Sequence, residues 1–213
     1  MGPALCLASA AFFGAMAIFG KLAYEAGVSP TALLLIRFSL AAILLVLILL
    51  VRPNLRGGPA SAPAAGSRAR VYGIAFGLGA IGYALQASLY FAALQRMDAS
   101  LLSLILYTYP VLVTLAAVAL GRDRLTPARA VALIAASGGT LLVLLGTGAT
   151  TFHPFAAMLA FGSAITYTIY ILVSDTVVQH LPPVPLSAFV MTGAAIALGL
   201  RTLFTGGVDL SFE

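Results

Sequence analysis

Apolar residues run along this chain in blocks of about 20, the length an α-helix needs to cross a bilayer. Charged or turn-forming residues close each block. The blocks fall near 4–23, 31–51, 71–94, 99–120, 128–146, 155–174 and 184–203, roughly seven spans with ends good to about three residues. Proline opens several of them, as its first-turn preference predicts: Pro30, Pro127 after Thr126, Pro154, and the cluster Pro182, Pro183 and Pro185. The blocks are rich in Leu, Ala and Gly, and no alternating strand pattern recurs, which argues against a transmembrane barrel. The pattern predicts an all-α integral membrane protein, a polytopic helix bundle.

Between blocks, "RPNLRGGPASAPAAGSRAR" (52–70) is the one long connection, with the composition of a flexible surface loop. It carries Arg52, Arg56, Arg68 and Arg70, and "GRDRLTPAR" (121–129) adds Arg122, Arg124 and Arg129. Both connections lie on the same side of a seven-span chain, whereas Lys21, Arg96 and Arg201 fall on the other. The positive-inside rule then places the arginine-rich side and the N-terminus in the cytoplasm of a plasma (inner) membrane protein.

Polar residues within the blocks form helical stripes. In the third, Tyr83, Gln86 and Tyr90 share a face; in the fourth, Ser100, Ser103, Tyr107 and Thr114 do, with Pro110 among them. In the sixth, Ser163, Thr166, Tyr167, Tyr170 and Ser174 make the longest stripe. Polar groups facing lipid would go unsatisfied, so these faces should point into the bundle and could together line a path. The alternative is that the hydroxyls simply join helices. Pro110 interrupts the fourth block beside Tyr107 and Tyr109. A kink there frees backbone carbonyls where a cavity can satisfy them, although curvature for packing would explain it too.

Composition confirms the setting: 62% hydrophobic residues, 8% charged and a mean hydropathy of +1.09 leave too little polar surface for water to be the main solvent. The net charge of +5 is dispersed at block ends, which excludes a nucleic-acid-binding face. Cys6 is the only cysteine, so no internal disulfide or cysteine-built metal site exists; His153 and His180 are not spaced as a ligand pair. The first 20 residues contain no Lys or Arg, so they form a first span rather than a secretory signal. Arg37 is the only charge within a block, near the outer side, where topology, packing or a functional role could account for it. "GIAFG" (73–77) is a GxxxG pattern that serves either close packing within the chain or a homodimer. No carboxylate lies mid-block, no nucleophile–base pair is evident and no glycine loop could cradle phosphate. The sequence therefore points away from an enzyme, a cofactor or metal site, and ATP-driven pumping.

"ASLLSLILYTYPVLVTLAAVALGRDRLTPARAVALIAASGGTLLVLL" (99–145) resembles the drug/metabolite transporter superfamily, in its EamA-type repeat. Pro110, the "GRDRLT" turn and the Gly138–Gly139 pair carry the resemblance, as do "LIRFSLAAILL" with Arg37 and "FG" at 13–14. The turn has Asp123 where the family usually has Glu. Phe13 stands where Trp is common, removing an indole donor from the expected pocket wall. The resemblance implies ten helices in two inverted five-helix repeats that move small organic solutes by alternating access. One full repeat would occupy 1–147, and 148–213 would hold about two helices of the second, an apparent truncation with "RTLFTGGVDLSFE" as a stop in mid-loop. In the span-one and span-six stretches "FGAMAIFGK" (13–21) and "YTIYILVSD" (167–175), an aromatic is followed eight residues later by a charge, a faint echo of such a repeat.

The expected function is a membrane transporter of small organic metabolites, exporting amino-acid-like or drug-like solutes. Its path candidates are Phe13, Tyr83, Gln86, Tyr90, Tyr107, Pro110, Thr166, Tyr167 and Tyr170, with the lipid bilayer and a small-molecule solute as partners. Tyrosine-lined faces fit aromatic or amphipathic solutes. The competing expectation is a truncated, non-transporting chain that acts only as a dimer or assembly partner, or is a gene remnant.

Overall fold

The computed structural model describes residues 2–57, 65–147 and 153–204. Within them the chain is helical: α1 (Gly2–Glu25), α2 (Pro30–Val51), a 3-10 turn (Pro53–Arg56), α3 (Ala65–Gly77), a π-helical turn (Leu78–Tyr83), α4 (Ala84–Leu94), α5 (Ala99–Leu106), α6 (Tyr109–Ala119), α7 (Pro127–Thr147), α8 (Pro154–Val178) and α9 (Pro183–Phe204). The π turn fuses α3 and α4 into one rod, and α5 and α6 make a second, broken one. Each expected span thus corresponds to a rod. Six stretches of the described residues are long and apolar enough to cross a bilayer, and α7 stands at the remaining position. The protein is a polytopic helical membrane protein.

Helix starts follow the local chemistry. The Ser29 hydroxyl accepts from the Ala32 N–H at 3.2 Å and Pro30 takes the first turn of α2. His153 does the same for α8, its Nδ1 accepting from the Ala156 N–H at 3.4 Å ahead of Pro154. α3 begins at Ala65, six residues before the apolar block at 71, so the last part of the long connection is helix rather than loop. Residues 58–64 of the long connection, and the "TGGVDLSFE" end of the tail (205–213), lie outside the described residues.

Many large apolar side chains point outward, and beside buried Phe38, Phe91, Leu94 and Leu102 the closest helix contacts are lined by small residues. Phe12, Met158 and Leu203 are more than 70% exposed, while Ala75, Ala156, Ala160, Ala164 and Ala194 are fully buried. Lipid is as apolar as leucine, so helices in a membrane associate through close van der Waals contact, and small residues permit it. α8 places Ala156, Ala160, Ser163 and Ala164 on one face, packed against α4, α5 and α6. α9 packs on α2 and on the π turn. Gly79 and Gly193 are the closest approaches. A Cβ at Gly79 would strike the Val190 carbonyl, and one at Gly193 would strike the Phe76 carbonyl, so no side chain fits at either. Gly73 and Gly77 have no neighbour within 4 Å of an added Cβ. Close packing within the chain, one of the two expected uses of "GIAFG", is therefore made elsewhere.

Both arginine-rich connections gather at one end of the bundle, beside the α8–α9 turn. Gly57 abuts Pro182, and the Arg122 guanidinium donates to the Leu172 carbonyl at 2.9 Å. Arg56 donates from Nε to the Leu49 carbonyl at 2.9 Å, closing the C-terminus of α2. In the "GRDRLT" turn Asp123 forms an ion pair with Arg129 and accepts from the Arg124 N–H at 2.8 Å. The hydrogen bond from the Arg129 side chain, then that from the Arg124 backbone, hold the Asp123 carboxyl below the usual carboxylate range.

Candidate solute-binding site

α1 joins the bundle through its second half. Its residues from Leu5 to Phe12 are exposed, whereas Ala17 is buried and Gly20 sits against the Phe91 and Leu94 side chains. The Tyr24 hydroxyl donates to the Phe91 carbonyl at 3.0 Å, and the two rings meet edge to face. The first half of α1 stands away from the other helices, leaving a cavity of about 450 Å³ lined by Leu5, Cys6, Ser9, Ala10, Phe13, Tyr107, Tyr109 and Tyr167. No charged side chain lines it.

The break between α5 and α6 supplies two of these tyrosines. Pro110 cannot donate to the carbonyl of Leu106, so α5 ends there and Tyr107–Thr108 form a turn. Thr108 Oγ1 donates to the Ile105 carbonyl and Thr114 Oγ1 to the Pro110 carbonyl, which satisfies backbone near the break. Pro110 then occupies the first turn of α6, where its missing N–H costs nothing. The turn sets Tyr107 and Tyr109 side by side, ring centroids 6.3 Å apart, whereas two residues so spaced on one straight helix would point to nearly opposite faces.

From there an aromatic run crosses the bundle. Tyr109 meets Tyr167 at 4.8 Å, Tyr167 stacks on Tyr170 at 5.9 Å, Tyr170 meets Tyr83 at 5.3 Å, and Tyr83 meets Phe38 at 5.4 Å. Among the described residues the hydroxyls of Tyr107, Tyr109 and Tyr167 make no hydrogen bond, so three donor–acceptor groups border the cavity unengaged.

The structure therefore brings Phe13, Tyr107 and Tyr167 to one cavity wall, and joins Tyr170 and Tyr83 to them ring by ring. Pro110 shapes that wall without lining it. Gln86 lies apart, buried between α4 and α8, where its Nε2 donates to Ser163 Oγ at 3.1 Å and its own carbonyl accepts from the same hydroxyl. Thr166 turns back on its helix, donating to the Gly162 carbonyl. Tyr90 is buried beside Phe91, on the Arg37 side of the run. Cys6, Ser9 and Tyr109 are wall residues absent from the nine path candidates. Cys6, Ser9 and Phe13 fall at i, i+3 and i+7, so the stripe rule applied to the first block would have found two of them.

The EamA-like transporter family matches residues 1–145. The chain belongs to that family. No curated protein and no solved structure gives a significant match. EamA-like proteins belong to the drug/metabolite transporter superfamily, and the match covers all of α1 to α6, hence two of the three elements that wall the cavity. As an EamA-like chain the protein is a membrane transporter of small molecules.

Proposed function

We propose that this EamA-like chain carries small amphipathic organic solutes, aromatic ones among them, through the cavity between α1 and the tyrosine wall. The single observation behind the reading is the uncharged cavity of about 450 Å³ bordered by three unengaged tyrosine hydroxyls. A site with apolar walls and a few convergent polar groups is the ordinary form of a small-molecule site. The path runs by Phe13, Tyr107, Tyr109 and Tyr167 and continues along Tyr170 and Tyr83. Gln86, Thr166 and Pro110 hold the helices that carry it. The arginine-rich end faces the cytoplasm, which orients the cavity mouth at Cys6 inward and suits export by alternating access across the plasma membrane. α8 and α9 begin a second, inverted repeat, a reading that the packing of α9 on α2 and α8 on α4 supports.

Two measurements test this. In proteoliposomes a labelled panel of aromatic amino acids, nucleosides and amphipathic drugs should include at least one solute with protein-dependent flux, and Tyr167→Ala should reduce that flux about tenfold or more. Cys6, the sole cysteine and a wall residue, should react with a maleimide more slowly when a carried solute is present. No flux across the panel and no protection of Cys6 would sink the reading.

Self-association is the second reading, favoured by the open surface at Gly73 and Gly77. It predicts a crosslinked dimer in membranes that Gly73→Leu and Gly77→Leu abolish.

A further inference from the structure

Tyr107 lines a second cavity, also of about 450 Å³, between α5–α6 and α7. Among the described residues it is the one side chain that lines both this cavity and the one beside α1. The hollow exists because α7 packs on α5 more than on α6, the helix that precedes it. Its apolar lining comes from Leu104, Ile105, Val111, Leu141 and Phe161. Val111, Ser137 and Leu141 also line a recess of about 390 Å³ that reaches Leu133. The hollow therefore follows α7 from Leu133 to Leu141, about 12 Å at about 1.5 Å per residue.

Its place in the membrane is as telling as its lining. Tyr107 to Val111 falls midway along the span Ala99–Ala119, and Ser137 falls midway along α7. Ile134, Leu141 and Phe161 line the hollow and are exposed on the outer surface, so it opens sideways, onto lipid at mid-depth. No charged side chain lines it, and a charged molecule at that depth is costly.

Plain hydrocarbon fits the hollow poorly as well. Hydroxyls in these helices turn back to the carbonyl four residues before, as those of Ser88, Thr114 and Thr166 do. Ser137 makes no such bond among the described residues, and the Tyr107 hydroxyl is equally unengaged. An acyl chain beside them would leave both unsatisfied. The occupant that meets every term is neutral, with an apolar body to lie along α7 and one polar head for the Ser137 and Tyr107 hydroxyls.

We propose that this hollow is a second solute site and the side entrance of the transport path. It takes neutral lipophilic molecules with one hydrogen-bonding head group from the bilayer, and Tyr107 is the partition they pass to reach the α1 cavity. Tyr107 suits that place because it sits in the turn between α5 and α6 rather than within either helix.

The entrance rests on the cavity reading above, and the experiment tells the two apart. Benzophenone, neutral and photoreactive at its carbonyl, is irradiated with the protein in proteoliposomes. It should label the segments 104–111 and 133–141. Phenyl benzoate should suppress that labelling at membrane concentrations about tenfold lower than diphenylmethane, which keeps the shape and lacks the carbonyl. Ser137→Ala should narrow the gap. Equal suppression by the two competitors, or by neither, overturns the site and leaves the hollow to lipid chains.

The route is read at Cys6 with two thiol reagents, lipid-soluble N-(4-benzoylphenyl)maleimide and the water-confined anion 2-sulfonatoethyl methanethiosulfonate. Ser137→Phe fills the hollow from an exposed position of α7. It should slow the maleimide about tenfold and leave the anion's rate unchanged. Slowing of both reagents, or of neither, overturns the entrance. Should that variant fail to fold, Leu141→Trp fills the same hollow from another exposed position. The cavity reading is judged separately, by solute protection of Cys6 against the anion in the wild-type chain.

Discussion

At the scale of single residues, the polar pair in the centre of the bundle is the most informative. Gln86 and Ser163 exchange two hydrogen bonds between α4 and α8, one of them to backbone, with both side chains buried. In membranes such pairs are worth less than their isolation would imply, because the unfolded helices also find partners. A double-mutant cycle with Gln86→Met and Ser163→Ala should give a coupling of about 0.5–1.5 kcal/mol by unfolding in detergent. Solute protection of Cys6 should persist in each variant. Loss of protection in Gln86→Met with stability unchanged would instead put Gln86 in the solute path. The stripe rule pointed to both residues, and it could show only that they face inward. Whether an inward hydroxyl meets a cavity or a neighbouring helix depends on the opposite rod, and spacing along one helix carries no trace of that. Tyr167 and Ser163, one turn apart on α8, illustrate the difference: one borders open space and the other is locked to Gln86.

At the scale of elements, two departures from regular helix shape the protein, and they differ in how visible they were. The α5–α6 break is written in Pro110, whose chemistry is local. Pro110→Ala should leave stability within about 1 kcal/mol, since proline in a first turn is unstrained, and should reduce flux by letting α5 and α6 join and swing Tyr107 from the wall. Thermal unfolding and flux on the same preparation check both halves of that statement. The π turn at Leu78–Tyr83 had no such mark. It arises where α3–α4 must accommodate the backbone of α9, a tertiary demand expressed through Gly79 and Gly193. Gly79→Ala and Gly193→Ala should each destabilise by about 1–3 kcal/mol, as overpacking against a backbone carbonyl does. Gly73→Ala should be neutral or slightly stabilising, since a helix propensity gain meets no neighbour. "GIAFG" does not mark the close contacts within the chain, because motif spacing records only that a small residue could pack, not that a helix of the same chain lies opposite.

At the scale of the whole molecule, the sequence was most legible. The positions of the rods and the gathering of both arginine-rich connections at one end follow from hydropathy and charge, because the bilayer penalises every unsatisfied backbone group and so restricts the chain to rods of bilayer length. The relation of the rods to one another was not legible. Core and lipid face are equally apolar here, so hydropathy gives no contrast between them. On α8 the distinction lies in side-chain size, with alanine on its inner face and Met158, Phe161 and Ile165 on its outer face. That large-out, small-in rule predicts that Ala160→Leu is far more disruptive than Phe161→Ala. The first should prevent α8 docking on α4, and the second should change the melting temperature little in detergent.

The uneven attachment of α1 has a mechanical meaning. Gly20, Tyr24 and Phe91 grip the helix near one end, and among the described residues nothing comparable grips the other. Held that way, α1 is a lever with its fulcrum at Gly20. From there to Cys6 is roughly 21 Å at about 1.5 Å per residue, so each degree of tilt carries the Cys6 end by about 0.4 Å. A swing of about ten degrees would displace it by about the diameter of a methyl group, roughly 4 Å. The width of the cavity mouth is therefore set by an angle at a contact that lies more than half the helix away.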